Sequence, residues 1–233
     1  MKPCAFANQT LLAHALGTVS QINKVFSEQY FEVMSNRLRL VNKYSAEFLS
    51  SQVALLAALH DIGKAAEKDQ LQFDDACKPI KDYTSFRLHE IGSALFLFMN
   101  EWEDDYIKLW SILSLLNHLN AMRDISYFRL ARPDKDMLLL KKYGTIFLEE
   151  LERNGIKTGF KADNYDLGDF QKMREWVIAA ASKRVTSKFY LLFLTPVIVG
   201  DNLDSYEQRQ QDKESRPRAR FIRSLLQVVN DES

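Results

Sequence analysis

The sequence predicts an all-α fold with one globular domain over residues 1–233. The chain is 46% hydrophobic and 12% aromatic, so it has enough apolar side chains to bury a sizeable core. Gly (8) and Pro (5) are scarce, and the many tight turns of an all-β fold are therefore not indicated. Long stretches instead carry apolar residues at the three- and four-residue spacing of amphipathic helices.

Apolar stripes with this spacing predict the helices in chain order. They lie over 11–22, 48–59, 93–99, 107–119, 137–151, 170–181 and 221–229. The stripe over 107–119 is apolar nearly all round, which is typical of a central helix. β-Branched residues over 189–200 favour a strand, but this segment is isolated, and we expect a buried helix there. Breaks fall over 69–85 and 154–168, and the second is the most loop-like segment, either mobile or carrying a small hairpin.

Charge and cysteine content narrow the class of protein. Lys+Arg (31) and Asp+Glu (31) cancel, which argues against a protein that grips nucleic acid by bulk positive charge alone. Cys4 and Cys77 are far apart in no paired spacing, and both a disulfide framework and a thiolate zinc site need more cysteines. The amino terminus lacks the sustained apolar core of a signal peptide, and the apolar stretch over 189–199 is too short to span a bilayer. We expect an intracellular, cytoplasmic protein with no membrane role.

The histidines carry the clearest chemical signal in the sequence. They are His14, His60, His89 and His118, each on or at the end of a predicted apolar helix. A single histidine in such a place is more often a satisfied core or surface residue than a metal ligand. Because all four share this setting, and because an aspartate directly follows His60, a metal-binding role is favoured.

The sequence HDIGKA ends the second predicted helix. Adjacent His60 and Asp61 supply a neutral nitrogen and an anionic oxygen, and Gly63 permits a tight turn after them. Lys64 lies one turn away, where it can meet a phosphate oxygen without binding the metal itself. The dipeptide alone is a weak signal, but the six residues at the end of a hydrophobic helix are considerably stronger.

Five segments together resemble a known family. AALHDIGKA resembles the signature of the HD-domain metal-dependent phosphohydrolases, which implies a helical HD-domain bundle. Four further segments are similar to segments of the HD nucleases of type I CRISPR systems and occur in the same order as in that family. They are AHALGTV around His14, SFRLHEIGSALF around His89, LLNHLNAMR around His118 and VIVGDNLDS around Asp201. No GxxxxGK[ST] phosphate loop is present, so the resemblance is to the stand-alone nuclease subunit, whose helicase is a separate polypeptide.

The resemblance implies a centre for one or two divalent metal ions. One ion would be held by His14, His60, Asp61 and Asp201, and a second would share Asp61 and bind His89 and His118. The fourth segment departs from the family pattern of two consecutive histidines, since Asn117 and Leu119 flank His118. Leu119 cannot ligate a metal, and Asn117 offers only a weak carbonyl oxygen. We therefore expect the second ion to bind more weakly, with more water ligands, or only together with substrate.

The ligand set implies a hydrolytic mechanism. Mixed imidazole and carboxylate ligands favour Mn²⁺, Ni²⁺, Co²⁺ or Fe²⁺, with Mg²⁺ possible although it prefers oxygen. Such a metal lowers the pKa of bound water, and two ions about 3.5–4 Å apart would clamp the scissile phosphate. Asp61 as the bridging ligand and Lys64 as a charge stabiliser are the predicted catalytic residues. The resemblance implies single-stranded DNA as the substrate, cleaved at its phosphodiester bonds.

Two further polar features are less specific. Asp204 would share a helix face with Asp201, and a role in supporting a ligand or capping a helix is favoured over direct ligation. The segment RPRARFIR over 216–223 carries four arginines and one aromatic residue. It could contact DNA or a partner, but a solvated start of a helix is at least as well supported.

Three functions stay open at this point. The chain is a metal-dependent nuclease subunit of a CRISPR effector, an HD phosphohydrolase acting on nucleotides, or a binding subunit whose active site has decayed. The family resemblance favours the first. The zero net charge of the chain predicts that it binds DNA weakly by itself. That fits a subunit whose substrate is unwound and delivered by a helicase subunit and an RNA-guided surveillance complex.

Overall fold

The computed structural model describes residues 2–81, 84–119, 131–182 and 185–208. Its fold in these ranges is helical apart from one small antiparallel hairpin, in which β1 (Cys4–Phe6) pairs with β2 (Gln9–Thr10). Helices α1 to α9 span Leu11–Val25, Glu28–Leu38, Ala46–Leu59, Glu67–Gln70, His89–Met99, Asp105–Asn117, Lys141–Arg153, Leu167–Ser182 and Tyr190–Gln208. Short 3-10 helices span Ile62–Ala65, Lys135–Leu138 and Val185–Phe189.

Side-chain caps fix where three of the predicted helices begin. Thr10 accepts a hydrogen bond from the backbone N–H of Ala13 at the start of α1, and Ser45 accepts one from Phe48 at the start of α3. Asp104 accepts two backbone N–H bonds at the start of α6. Each cap satisfies donors that the first turn of a helix leaves unpaired.

The segment over 189–200 is helical, as expected, although it contains a proline. Pro196 lies inside α9 and has no N–H to donate to the carbonyl of Leu192, one turn earlier. The hydroxyl of Tyr30, on α2, donates to that carbonyl at 2.7 Å. A side chain from another helix thus satisfies the acceptor that the proline leaves unpaired.

The helices pack around one continuous hydrophobic core. Its largest fully buried side chains include Trp110, Phe96, Phe147 and Phe193. α1 packs along α9, and α9 also contacts α3 and α6. α5 packs against α6 and against the 3-10 helix Ile62–Ala65. This arrangement brings α1, α9, the end of α3, the start of α5 and the end of α6 to a common centre.

Some predicted boundaries differ from the structure. The helix predicted over 137–151 is divided into a 3-10 turn, Lys135–Leu138, and α7, because the backbone leaves helical geometry at Leu139. The short helix α2 and the hairpin were not predicted. No strand forms over 154–168, where a hairpin was one alternative, and Asn164 instead makes an isolated bridge to Leu139. The predicted tail helix over 221–229 and the arginines over 216–223 lie outside the described residues.

A disulfide joins Cys4 to Cys77, which corrects the expectation from their spacing. Their Cα atoms are 5.5 Å apart although 73 positions separate them in sequence. Sequence spacing carries no information about this contact, because the hairpin and the loop after α4 meet only in the folded chain. The backbone N–H of Asn8 also donates to the carbonyl of Cys77 at 2.8 Å. Among the described helices, none is long and apolar enough to cross a membrane.

Candidate metal centre

Six predicted ligands meet inside the protein. They are His14 on α1, His60 at the end of α3, Asp61 directly after it, His89 at the start of α5, His118 at the end of α6 and Asp201 on α9. All six are at most 8% exposed. Burying this many polar and ionisable groups is unfavourable unless they are paired with one another or with a metal.

Three of the four histidines share one arrangement of ring nitrogens. In each of these, Nδ1 lies 2.6–2.7 Å from the backbone carbonyl three residues earlier in the chain. The pairs are His60 with Ala57, His89 with Phe86, and His118 with Leu115. Because a carbonyl only accepts, Nδ1 must carry the proton, and the neutral ring then offers a lone pair on Nε2.

The Nε2 atoms of all four histidines are buried without a hydrogen bond. They converge on Asp61, whose two carboxylate oxygens face different histidines. Its Oδ2 lies 3.2 Å from His14 Nε2 and 3.5 Å from His60 Nε2, and its Oδ1 lies 3.0 Å from His89 Nε2 and 3.6 Å from His118 Nε2. Buried nitrogen lone pairs around a carboxylate are the donor set that a divalent transition metal prefers, so these residues fit a metal ion.

The ligand atoms fall into two groups. One contains His14, His60 and Asp201, and the other contains Asp61, His89 and His118, with the atoms of each group within 4.8 Å of one another. Asp201 Oδ1 lies 3.4 Å from His14 Nε2 and 3.9 Å from His60 Nε2. Because Oδ2 of Asp61 also approaches the first group, that group has four protein ligands within reach and the second has three.

His14 differs from the other histidines because its Nδ1 meets a carboxylate. Oδ2 of Asp204 lies 2.6 Å from Nδ1 and also accepts from Nε2 of Gln9 at 3.0 Å. Asp204 is 2% exposed and belongs to neither group of ligand atoms. The Asp204 carboxylate fits against α1 because position 17 is a glycine, since a Cβ there would overlap with Oδ1 of Asp204.

Gly63 lies in the 3-10 turn Ile62–Ala65, which is the tight turn expected after His60 and Asp61, and it also allows close packing. A Cβ at position 63 would overlap with the backbone carbonyl of His89. The N–H of Gly63 donates to the hydroxyl of Ser93 at 2.8 Å. These contacts hold the residues after Asp61 against α5, and thereby set the position of His89 relative to Asp61.

Burial and neighbouring carboxylates shift the pKa values of His14 and His60 in opposite directions. Burial lowers the pKa of His14, but the carboxylates of Asp201, Asp204 and Asp61 outweigh it and raise that pKa to about 10. Burial also lowers the pKa of His60, and here it prevails over Asp61 and Asp201, leaving the pKa at about 4. Without metal, the neighbouring rings therefore differ in charge at neutral pH.

The two aspartates are held in the ionised state. Burial raises the pKa of Asp61, but His60, Lys64 and His89 together lower it well below the usual range. Burial likewise raises the pKa of Asp201, and the opposing effect of His14 and His60 lowers it below the usual range. Both carboxylates are thus anionic at neutral pH, the state in which a carboxylate binds a metal.

Lys64 lies inside the cluster and is 3% exposed. Its Nζ is 2.5 Å from Oδ2 of Asp61 and 3.8 Å from the centroid of the Phe6 ring. The backbone carbonyl of Lys64 accepts from Nε2 of Gln70 at 2.6 Å. The predicted catalytic pair, Asp61 and Lys64, is therefore in direct contact.

The fourth motif segment, LLNHLNAMR, places a single histidine, His118, at the end of α6. The Nδ2 group of Asn117 donates to the carbonyl of Leu113 at 2.6 Å, within α6. Leu119 follows His118 in the turn after the helix and is half-buried. From this segment, His118 supplies a ligand atom to the second group.

Comparison with known proteins identifies the family. A family model described as "Cas3, HD domain" matches residues 6–118, a range that includes all four histidines. A protein of Saccharolobus solfataricus named "CRISPR-associated endonuclease Cas3-HD" is 39% identical over 242 residues, which cover 99% of this chain and 98% of that protein. The chain belongs to the Cas3 HD-domain family. The resemblance identified from the sequence motifs is therefore confirmed.

A solved structure supports the Cas3 HD-domain fold. The CRISPR-associated Cas3 HD domain protein of Methanocaldococcus jannaschii is 21% identical and has a TM-score of 0.52, covering 86% of this chain and 99% of that chain. Together with the helical architecture, this likeness confirms the predicted all-α HD-domain bundle. Sequence reasoning did not identify Gln9, Phe6 or Phe86 beside the cluster. Gln9 and Phe6 lie outside the quoted motifs, and only the fold brings them to the histidines. Phe86 stands in the SFRLHEIGSALF segment, three residues before His89.

Proposed function

We propose that this Cas3 HD-domain protein is the metal-dependent nuclease subunit of a CRISPR effector and hydrolyses phosphodiester bonds of single-stranded DNA. Its 39% identical relative is named as a CRISPR-associated endonuclease, and the alignment covers nearly all of both chains. The observation that carries the proposal is the position of Asp61, whose two oxygens face two separate sets of histidines.

The proposed ligands follow from these contacts. His14, His60, Asp61 and Asp201 would hold one divalent ion, and Asp61, His89 and His118 would hold a second. The mixed nitrogen and oxygen donors suit Mn²⁺, Ni²⁺, Co²⁺ or Fe²⁺ better than Mg²⁺. When bound, such ions lower the pKa of water and polarise phosphoryl oxygens, which is the chemistry that hydrolysis of a phosphodiester requires.

The neighbouring residues orient the histidine rings and add a positive charge beside Asp61. The carbonyls of Ala57, Phe86 and Leu115 keep the proton on Nδ1 of three histidines, so that Nε2 faces the metal position. Asp204 does the same for His14. Lys64 adds a positive charge beside Asp61, where it would stabilise the negative charge that develops on the phosphoryl oxygens.

The charge of the chain fits a subunit that receives its substrate from partners. Lys+Arg and Asp+Glu both number 31, so attraction for phosphate must be local to the metal centre and Lys64. We propose that a separate helicase subunit and an RNA-guided surveillance complex unwind and present the DNA strand. Such a partner-dependent nuclease would bind DNA weakly by itself.

Hydrolysis assays with two substrate classes test the proposal. Purified protein is incubated with Mn²⁺ and either a labelled single-stranded oligonucleotide or nucleoside mono- and triphosphates. We expect cleavage of the DNA to shorter products, which EDTA blocks, and no phosphate release from the nucleotides. Phosphate release with intact DNA would instead indicate a nucleotide phosphohydrolase. A lack of hydrolysis, with no bound metal by elemental analysis, would indicate a binding subunit.

A further inference from the structure

Two phenyl rings, Phe6 and Phe86, lie at the edge of the candidate metal centre. The Nζ of Lys64 is 3.8 Å from the centroid of Phe6 and 5.1 Å from that of Phe86. The Phe6 ring meets the His14 ring edge-on at 5.2 Å, and the Phe86 ring meets the His89 ring edge-on at 6.5 Å. Both phenyl rings are half-buried, whereas the histidines and Lys64 beneath them are buried.

The Cys4–Cys77 disulfide holds the segments that carry these rings. Cys4 lies two residues before Phe6 on β1, and Cys4, Cys77 and Phe73 form a small apolar cluster of their own, against which Phe86 packs. Phe73 stacks on Phe86 with centroids 5.7 Å apart and planes at 19°. The half-buried ring of Phe86 is therefore supported from one side by Phe73 and the disulfide.

Gln70 connects this small cluster to the catalytic segment. Its side-chain amide accepts from the backbone N–H of Cys4 at 2.7 Å, and donates to the carbonyls of Cys4 at 3.0 Å and Lys64 at 2.6 Å. Gln70 itself is fully buried. Buried hydrogen bonds thereby tie β1, which carries Phe6, to the segment that carries Lys64.

We propose that Phe6 and Phe86 form a stacking subsite for a nucleobase of the strand that is cleaved, with Phe86 as its main surface. The inference rests on the proposed nuclease function and adds to it the residues that select for an unpaired strand. Phenyl rings stack on any base, and a base can reach them only when it is not stacked within a duplex. The neighbouring Arg87 is exposed and adds a positive charge for the phosphate backbone.

This subsite would give the enzyme a preference that its metal ligands cannot provide. Ions held by the proposed ligands would contact only phosphate and water, and phosphate is common to duplex and single-stranded DNA. Stacking on Phe86 depends instead on the base. A strand with bases should therefore bind more tightly than a strand of the same length and charge that lacks them.

The test compares two labelled oligonucleotides by fluorescence anisotropy in EDTA and low salt, so that the DNA stays intact. One is oligo-dT, and the other is an abasic strand of equal length. We expect the wild-type protein to bind oligo-dT roughly tenfold more tightly, as one stacked base provides. Phe86→Leu, which keeps an apolar side chain against Phe73, should reduce this ratio to near one, and Phe86→Trp should retain it.

Phe48→Leu is the matched control. Phe48 is a partly exposed phenyl ring, stacked on Tyr44 at 5.7 Å near the start of α3. Its replacement should leave the ratio at the wild-type value. A wild-type ratio near one, absence of binding to both strands, or a Phe86→Leu ratio equal to the wild-type ratio would overturn the stacking subsite.

A parallel cleavage assay separates this inference from the proposed function. Wild-type protein that cleaves oligo-dT with Mn²⁺, but binds both strands equally, would refute the stacking subsite and leave the nuclease function intact. Protein that does not cleave, but shows a Phe86-dependent preference for oligo-dT, would refute the nuclease function alone.

Discussion

Nδ1 of His14 lies 2.6 Å from Oδ2 of Asp204, in a buried pair that joins α1 to α9. The carboxylate also accepts a hydrogen bond from Gln9 at 3.0 Å, which fixes its orientation. A carboxylate bound to Nδ1 keeps the proton on that nitrogen and increases the basicity of Nε2. Asp204 therefore prepares His14 as a ligand without belonging to either group of ligand atoms.

Replacing Asp204 should weaken metal binding while the metal ligands stay in place. We expect Asp204→Asn to lower the affinity for Mn²⁺ by about ten- to a hundredfold, because His14 loses its anionic partner. Isothermal titration calorimetry measures this affinity directly. The control is Asp163→Asn, which neutralises an exposed aspartate on the loop before α8. Equal affinity in Asp204→Asn and wild-type protein would show that Asp204 does not support His14.

Metal binding should release a proton and strengthen as the pH rises. The pKa of His14 is about 10 in the metal-free protein, so its ring is protonated at pH 7 and must lose that proton before Nε2 can bind a metal. With about one proton released, affinity should rise roughly tenfold per pH unit between pH 7 and 9. Calorimetry in two buffers of different ionisation enthalpy counts the protons. A binding enthalpy that is independent of the buffer would contradict this mechanism.

The second group of ligands should gain from an added histidine. Leu119→His restores the pair of histidines that the family pattern has in the fourth segment, and we expect more bound Mn²⁺ per chain and faster cleavage of DNA. Leu40→His, at a position that is 85% exposed, is the matched control. No change in metal content or rate for Leu119→His would indicate that His118, His89 and Asp61 already suffice.

Asp69 should make the protein less stable as the pH rises. Burial raises its pKa from 3.8 to about 7, although Lys68 and Lys64 act in the opposite direction. Between these pH values the folded state retains a proton that the unfolded state releases, so the free energy of unfolding falls as the pH rises. Asp69→Asn should remove this decline and add about 1–3 kcal/mol at pH 8. Urea unfolding of both proteins at pH 5 and pH 8 measures the decline with pH and the stability that the substitution adds. An identical pH dependence in wild-type and Asp69→Asn protein would contradict a raised pKa of Asp69.

Local sequence patterns were sufficient for much of the fold and for the identity of the candidate ligands. Helical spacing predicts helices such as α1, α3 and α6 because their apolar stripes face the core. The HDIGKA segment and its flanking motifs supplied six residues that the structure brings together. Each of these ligands lies within a helix, at its end or directly after it.

Contacts between distant segments could not be predicted in this way. The Cys4–Cys77 disulfide, with a separation of 73 positions, depends on how the hairpin meets the loop after α4. The hydrogen bond from Gln9 to Asp204 crosses 195 positions and follows no local pattern. The 3-10 turn before α7 was missed because apolar residues continue through it, and periodicity alone does not detect a change in backbone geometry.

The most direct test of the account is the rate at which Asp61 variants cleave single-stranded DNA in Mn²⁺. Asp61 faces all four histidines and Lys64, so Asp61→Ala and the isosteric Asp61→Asn should both abolish cleavage. Circular dichroism should show an unchanged helical fold, and Asp163→Ala should cleave at the wild-type rate. Cleavage by a folded Asp61→Asn protein at the wild-type rate would contradict a metal centre built around this carboxylate.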